Sequence, residues 1–184
     1  MHPNIRPDDV ETLRQAGMND EDLDHSVRVA ERALDLADRT GAAVDMELVA
    51  RGALFHDLGK VRTHGIEHGR IGAELGAELG LPPEVTAVME KHIRGGLTPA
   101  EAEELKLEVK DYSLGRLEER LIIYADRLVD IDTDPNGLTG SPAESEERFE
   151  EILQAYPRYG KNETTLARYL GYHREIQGLV RGGK

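Results

Sequence analysis

The sequence predicts an all-α fold, a helical bundle with a short N-terminal helix and a C-terminal helical extension. Three observations point there. Ala, Leu, Glu and Arg, all good helix formers, recur along the 184 residues. Alternating Val/Ile/Thr-rich runs, the mark of half-buried strands, are missing. Apolar residues return instead at three- and four-residue spacing between Gly, Pro, Asn and Asp punctuation. Aromatics make up 4% of the chain and Trp is absent, so the core must rest on Leu, Val, Ile and Ala. The length fits a single domain over residues 1–184.

The elements follow in order. Pro7 to Ala16 reads as a short helix ended by Gly17. Asn19 or Asp20 caps the next, which carries acids in its first turn and runs to Thr40 before Gly41. Asp45 opens MELVARGALFHDL, closed by Gly59. THGIEHG is a loop leading into a helix that reaches Leu79. Its glycines, Gly69, Gly72, Gly76 and Gly80, would let another helix approach closely. Pro82-Pro83 starts a helix that stops at Gly95-Gly96, and a small one spans Pro99 to Leu105. Residues 106–114 show no clear pattern. Arg116 to Ile131 is a strong amphipathic helix. TDPNGLTGSP, dense in turn formers, is a loop and a candidate hinge. Two helices then follow, Ala143 to Ala155 and Glu163 to Leu179, within an extension over residues 143–182.

Charge and composition exclude several functions. The formal charge of −13 repels phosphate backbones, which argues against extended nucleic acid and anionic membranes as partners. With no Cys, thiolate zinc sites, iron–sulfur clusters and disulfides are out. No apolar run approaches the roughly 18 residues of a membrane span, and no signal-peptide core is seen, so a cytoplasmic protein is expected.

Five predicted helices each aim a His or Asp inward. His25 shares a stripe with Val29, Ala33 and Leu36. His56-Asp57 lies in the last turn of a strongly apolar helix, where the negative end of the dipole favours a cation. His68 lines up with Ile71, Leu75 and Leu79, and His92 with Val85, Val88 and Met89. Asp126 sits among Ile122, Ile123 and Val129, where an ionised carboxylate needs a compensating cation, either a metal or a buried Arg. Singly, each His reads equally as a packed core residue. Their convergence points to a metal site, and nitrogen and oxygen donors without sulfur suit Fe, Mn, Co, Ni or Zn.

The order His25, His56-Asp57, Asp126, with the words HSVRVA, GALFHDLGK and YADRLVD, resembles the HD superfamily of metal-dependent phosphohydrolases over residues 20–132. His68 in EHGRIGA and His92 in EKHIRGG resemble the extra ligands of binuclear members. LRQAG, THGIEHG and HIRGGLTPAEA resemble a narrower prokaryotic group of HD proteins. The resemblance implies an HD-domain bundle in which His25, His56, Asp57 and Asp126 hold one divalent metal. It implies a second ion on His68 and His92, with Asp57 bridging and acting catalytically.

The implied activity is hydrolysis of a phosphate ester or phosphoanhydride in a small nucleotide-like substrate by a metal-activated water. Diadenosine tetraphosphate is a specific alternative, and a non-catalytic metal- and nucleotide-binding module is the other. Lys60, next to the dyad, is the first choice of cation for the phosphoryl oxygens, followed by Arg94 and Arg127. His64 is a candidate proton donor or, in place of His68, a ligand. His173 and the tyrosines at 156, 159, 169 and 172 read mainly as packing of the last helices. A homodimer is left open.

Overall fold

The computed structural model describes residues 1–182; Gly183 and Lys184, the end of the expected domain, lie outside the described residues. Among the described residues the regular elements are all helices: α1 (Pro7–Gln15), α2 (Asp20–Thr40), α3 (Met46–Phe55), α4 (His68–Glu78), α5 (Pro83–Lys91), α6 (Pro99–Glu104), α7 (Leu117–Asp132), α8 (Pro142–Glu147), α9 (Phe149–Ala155), α10 (Pro157–Gly160) and α11 (Glu163–Gly182). Tight 3₁₀ turns at Leu58–Val61 and Ile93–Gly95 follow α3 and α5.

Local chemistry sets the boundaries of the long helices. The Asn19 side chain accepts the Asp22 amide at 2.9 Å, and Asp20, Glu21 and Asp22 complement the positive end of α2. Gly41 at φ 63° ends α2 in the left-handed region. Asp45 caps α3 through the Leu48 amide at 3.0 Å. Thr98 and Glu101 form a reciprocal capping box at the start of α6.

The core sits between α2, α3 and α7. α3 buries nearly all of its surface because α2, α5 and α7 all pack on it. α4 lies against α5 and the 3₁₀ turn that follows α3. Small residues permit that approach: a Cβ added at Gly72 would sit 3.0 Å from the Gly59 nitrogen, and one at Gly76 2.9 Å from the Met89 sulfur. Gly80 departs from the expected stripe. It faces open space and ends the helix at φ 75°.

Two further expectations are corrected. α3 stops at Phe55, so His56 and Asp57 follow the helix instead of closing it, and Gly59 belongs to the next 3₁₀ turn. Gly59 is there because α4 leaves no room for a side chain. The helix expected over 143–155 is two helices, α8 and α9, broken at Arg148 (φ −96°, ψ 9°). The Arg148 guanidinium donates to the Leu138 carbonyl and to Glu144, both at 2.9 Å, which fastens the turn to the preceding loop. Phe149 then drops into the core edge-on to Tyr124. α10 was not anticipated. A continuous hydrophobic cluster runs from Ile5 to Val180, so α9 and α11 share the core of the preceding helices. No helix among the described residues is long and apolar enough to cross a membrane.

Candidate metal centre

Five elements deliver six donors to one pocket. α2 brings His25, the turn after α3 brings His56 and Asp57, the start of α4 brings His68, the end of α5 brings His92, and α7 brings Asp126. The donor atoms fall into two groups, His25/His56/Asp126 and Asp57/His68/His92, each spanning less than 4.8 Å.

Asp57 joins the groups. Its Oδ2 lies 3.2 Å from His56 Nε2 and 3.7 Å from His25 Nε2. Its Oδ1 lies 3.3 Å from His68 Nε2 and 3.4 Å from His92 Nε2. Asp126 Oδ1 stands 3.0 Å from His25 Nε2 and 3.5 Å from His56 Nε2.

The histidines are pre-set as ligands. His56, His68 and His92 each direct Nδ1 at the backbone carbonyl three residues earlier: Ala53 at 2.7 Å, Gly65 at 2.8 Å and Met89 at 2.7 Å. A carbonyl only accepts, so Nδ1 carries the proton in all three rings. In the neutral tautomer each Nε2 is therefore a lone pair aimed at the shared carboxylate, the outer-shell arrangement of metal-binding histidines.

Two observations test whether cations fit. His56 Nε2 is fully buried and has no aligned hydrogen-bond partner. His68 and His92 bring their Nε2 atoms to 2.8 Å, so two neutral rings would face lone pair to lone pair. A cation between such atoms satisfies both, and the donor set fits one.

The electrostatics point the same way. Burial pushes the Asp57 and Asp126 carboxyls up, yet the surrounding histidines hold both well below the usual carboxylate range. Burial pushes His56 down, and Asp57 with Asp126 outweighs it, leaving the ring well above its usual value. His25 rises the same way, against burial, through Asp126. His92 is lowered, by burial first, with Asp57 opposing and His56 and His68 adding to it. The two carboxylates thus draw positive charge into the pocket.

The pocket encloses about 350 Å³. Lys60 reaches into it and pairs with Asp57 Oδ2 at 2.6 Å. Arg127 is buried, stacked 4.7 Å over the Tyr169 ring, and donates to the Tyr169 hydroxyl at 3.1 Å and to Asp130 at 3.3 Å. Arg94 lines the same wall. His64 lies on the rim, exposed, with Nε2 3.1 Å from Asp22 and outside both donor groups. Gly65 and Ile66 separate it from α4, so it cannot follow His68 inward.

Asp22, Asp130, Lys161 and Tyr169 also surround the site, and none of them is among the site residues that the sequence predicts. Asp22 precedes His25 by three residues and Asp130 follows Asp126 by four, so helical spacing could have found both. Nothing in the sequence ties Lys161 or Tyr169 to a pocket whose other residues lie 31 or more positions upstream.

A larger groove of about 880 Å³ lies between α2, α8 and α11. Two of its arginines are paired: Arg39 makes two 2.8 Å bonds to Glu146, and Arg32 meets the same carboxylate at 3.0 Å. It holds none of the six donors.

The family model for the HD domain matches residues 22–131. The chain belongs to the HD-domain family. Membership makes it a metal-dependent phosphohydrolase, as its motifs implied. An uncharacterized protein of Methanocaldococcus jannaschii is 36% identical over 163 residues, covering 86% of this chain and 89% of that one. A tRNA (cytidine(56)-2'-O)-methyltransferase of Picrophilus torridus is 35% identical over 120 residues, which is 65% of this chain but 35% of the methyltransferase. Among solved structures, the HD domain of the L. monocytogenes phosphodiesterase PgpH, in complex with cyclic-di-AMP, superposes with a TM-score of 0.57 at 19% identity. That match covers 99% of this chain and 98% of the PgpH chain, and at this identity it establishes the shared HD fold.

Proposed function

We propose that this HD protein hydrolyses a phosphodiester or phosphoanhydride bond of a small nucleotide at a two-cation centre built around Asp57. The observation that carries the reading is the division of one carboxylate: Asp57 Oδ2 faces His25 and His56, and Oδ1 faces His68 and His92. His25, His56, Asp57 and Asp126 would hold one divalent cation, and His68, His92 and Asp57 the other. When bound, such ions supply a water acidic enough to attack at neutral pH and positive charge against the phosphoryl oxygens.

The protein's own groups do the remaining work. Lys60 fixes Asp57 by its ion pair and adds a positive charge at the pocket floor. Arg127, locked by Tyr169, and Arg94 meet negative charge as it builds on the phosphoryl oxygens. His64, on the solvent side, stands where it can give a proton to the departing oxygen while Asp22 orients its ring.

Two observations favour a nucleotide. A second cleft of about 270 Å³ shares Ile66 and Ile93 with the metal pocket and continues it past Leu97, Leu107 and Tyr112, with charged groups such as Arg70 and Lys106 beside them, a mixed lining suited to a nucleoside. The PgpH HD domain, of the same fold, is seen with cyclic-di-AMP. The net charge of −13 disfavours a polynucleotide.

The test is hydrolysis by protein loaded in turn with Mn, Fe, Co, Ni and Zn. The substrates are cyclic dinucleotides, diadenosine tetraphosphate, nucleoside monophosphates and a short RNA. Turnover of a small nucleotide that is lost in the folded His56→Ala variant is expected. A metal-replete protein that cleaves none of the small nucleotides, or cleaves RNA faster than all of them, would defeat the proposal and leave a binding module or a nuclease.

A further inference from the structure

Among the described residues, three non-glycine residues have positive φ: Arg94 at 49°, Lys106 at 59° and Lys161 at 63°. All three are cationic. Arg94 and Lys161 line the metal pocket, and Lys106 lines the adjoining cleft. Strained backbone held in place by its surroundings is concentrated at ligand sites, and it costs stability that packing elsewhere must offset.

Lys161 is the most strained of them. Its ψ of −85° puts it in the γ-turn region that side chains avoid. The chain is held there from both sides. The Lys161 amide donates to the Pro157 carbonyl at 2.8 Å, closing α10. Asn162 caps α11 by accepting the Thr165 amide at 2.8 Å. Gly160 is wedged against the Leu153 backbone, where a Cβ would overlap the carbonyl. The result aims a lysine from the C-terminal helices back at the pocket.

The same helices hold Arg94. Arg168 donates to the Arg94 carbonyl at 2.9 Å, and the Tyr172 hydroxyl donates to the Gly95 carbonyl at 2.7 Å. The Tyr169 ring lies against Gly95. α11 therefore fixes the turn that presents Arg94 as well as the arginine clamp at Arg127.

These cations lack counter-charges. Lys60 is paired with Asp57 and Arg127 with Asp130. Neither Arg94 nor Lys161 has a carboxylate at ion-pair distance among the described residues. Partial burial, then Arg127 and Arg94, push the Lys161 ammonium below its usual range, with Asp130 opposing. Two like charges brought together, neither in an ion pair, leave a place for an anion beside the carboxylates that the pocket also holds.

We infer that Lys161, carried by the strained turn between α10 and α11, binds a phosphate group of the substrate together with Arg94, so that the C-terminal helices complete the active pocket. The inference rests on the phosphohydrolase reading for its substrate, but the anion site it describes exists without turnover. The phosphate class follows from the lining: Arg94, Arg127 and Lys161 bring several cationic donors to one pocket, which suits a compact multivalent oxyanion.

The experiment is calorimetric titration of the full chain with inorganic phosphate and with pyrophosphate, in chelator, so that catalysis and metal play no part. Lys161→Met removes the charge and keeps the strain. Lys161→Gly removes both. Lys161→Arg keeps both.

Affinity is expected to fall about tenfold or more in the Met and Gly variants, the loss of one charge-assisted contact, and to survive in Arg. Lys161→Gly should also melt about 2–4 °C higher than wild type, because glycine relieves the strain. Binding weakened while stability rises is a combination that a purely structural lysine would not give. Affinity within twofold of wild type in both the Met and Gly variants would overturn the inference. So would a Lys161→Gly variant that loses affinity and melts lower. A wild-type chain that binds phosphate through Lys161 but hydrolyses no nucleotide would count against the phosphohydrolase reading and leave this site standing.

Discussion

Asp57→Asn is expected to abolish hydrolysis more completely than any other single substitution, by about three orders of magnitude or more in kcat/KM, or ~4 kcal/mol at 1.36 kcal/mol per decade. Both oxygens of this carboxylate are committed: Oδ2 to His25, His56 and Lys60, and Oδ1 to His68 and His92. An amide keeps the shape but supplies one acceptor and turns the other end into a donor. Whichever way it points, one histidine pair faces an N–H and Lys60 loses its counter-charge. The other donors each serve one group only, so their loss should leave more behind. Steady-state kinetics at saturating metal measure the effect. A variant within tenfold of wild type would show that the two groups work independently of Asp57.

Gly59→Ala is expected to have the largest effect of any substitution that touches no ligand. An added Cβ would overlap the His68 carbonyl and lie 2.8 Å from the Gly72 nitrogen. Both atoms are α4 backbone and cannot rotate aside, so α4 itself must move. Overpacking of this kind costs about 1–3 kcal/mol or more, and a chain of this size loses roughly 2–4 °C of Tm per kcal/mol. Because His68 opens α4, the same shift carries its Nε2 away from Asp57 and should weaken the second donor group selectively. Gly115→Ala is the control: nothing lies within 4 Å of a Cβ there, and its stability should match wild type. Thermal melts of the two variants, with the metal content of each, separate the cases. Equal melting temperatures would contradict the close approach of α4.

Much of the fold was legible because the signals are local. Asn19, Gly41, Asp45 and Pro83 bound their helices by short-range chemistry. The break at Arg148 was not legible, since it depends on a carbonyl ten residues back. The end of α3 one residue before His56 was hidden for a related reason. Gly59 looked like a helix stop, but its role is to admit α4, which no local pattern reveals.

The six candidate donors are readable because each lies on an apolar stripe or a helix end, and the structure gathers their ligand atoms into two groups joined at Asp57. His64 and His68, four residues apart, were left as alternatives. The turn at Gly65 sends His64 toward Asp22 and leaves His68 to begin α4. Lys161 carried no signal at all. Its position in the pocket depends on how α10 and α11 fold back over residues far upstream, and its strain is a property of tertiary packing.

The most direct test of the two-cation centre is metal content at saturation, measured by elemental analysis on the wild-type chain and on His92→Ala. Two ions per wild-type chain and one per His92→Ala chain are expected, since His92 belongs to only one donor group. One ion in both proteins would contradict the account and return His68 and His92 to a role in binding substrate.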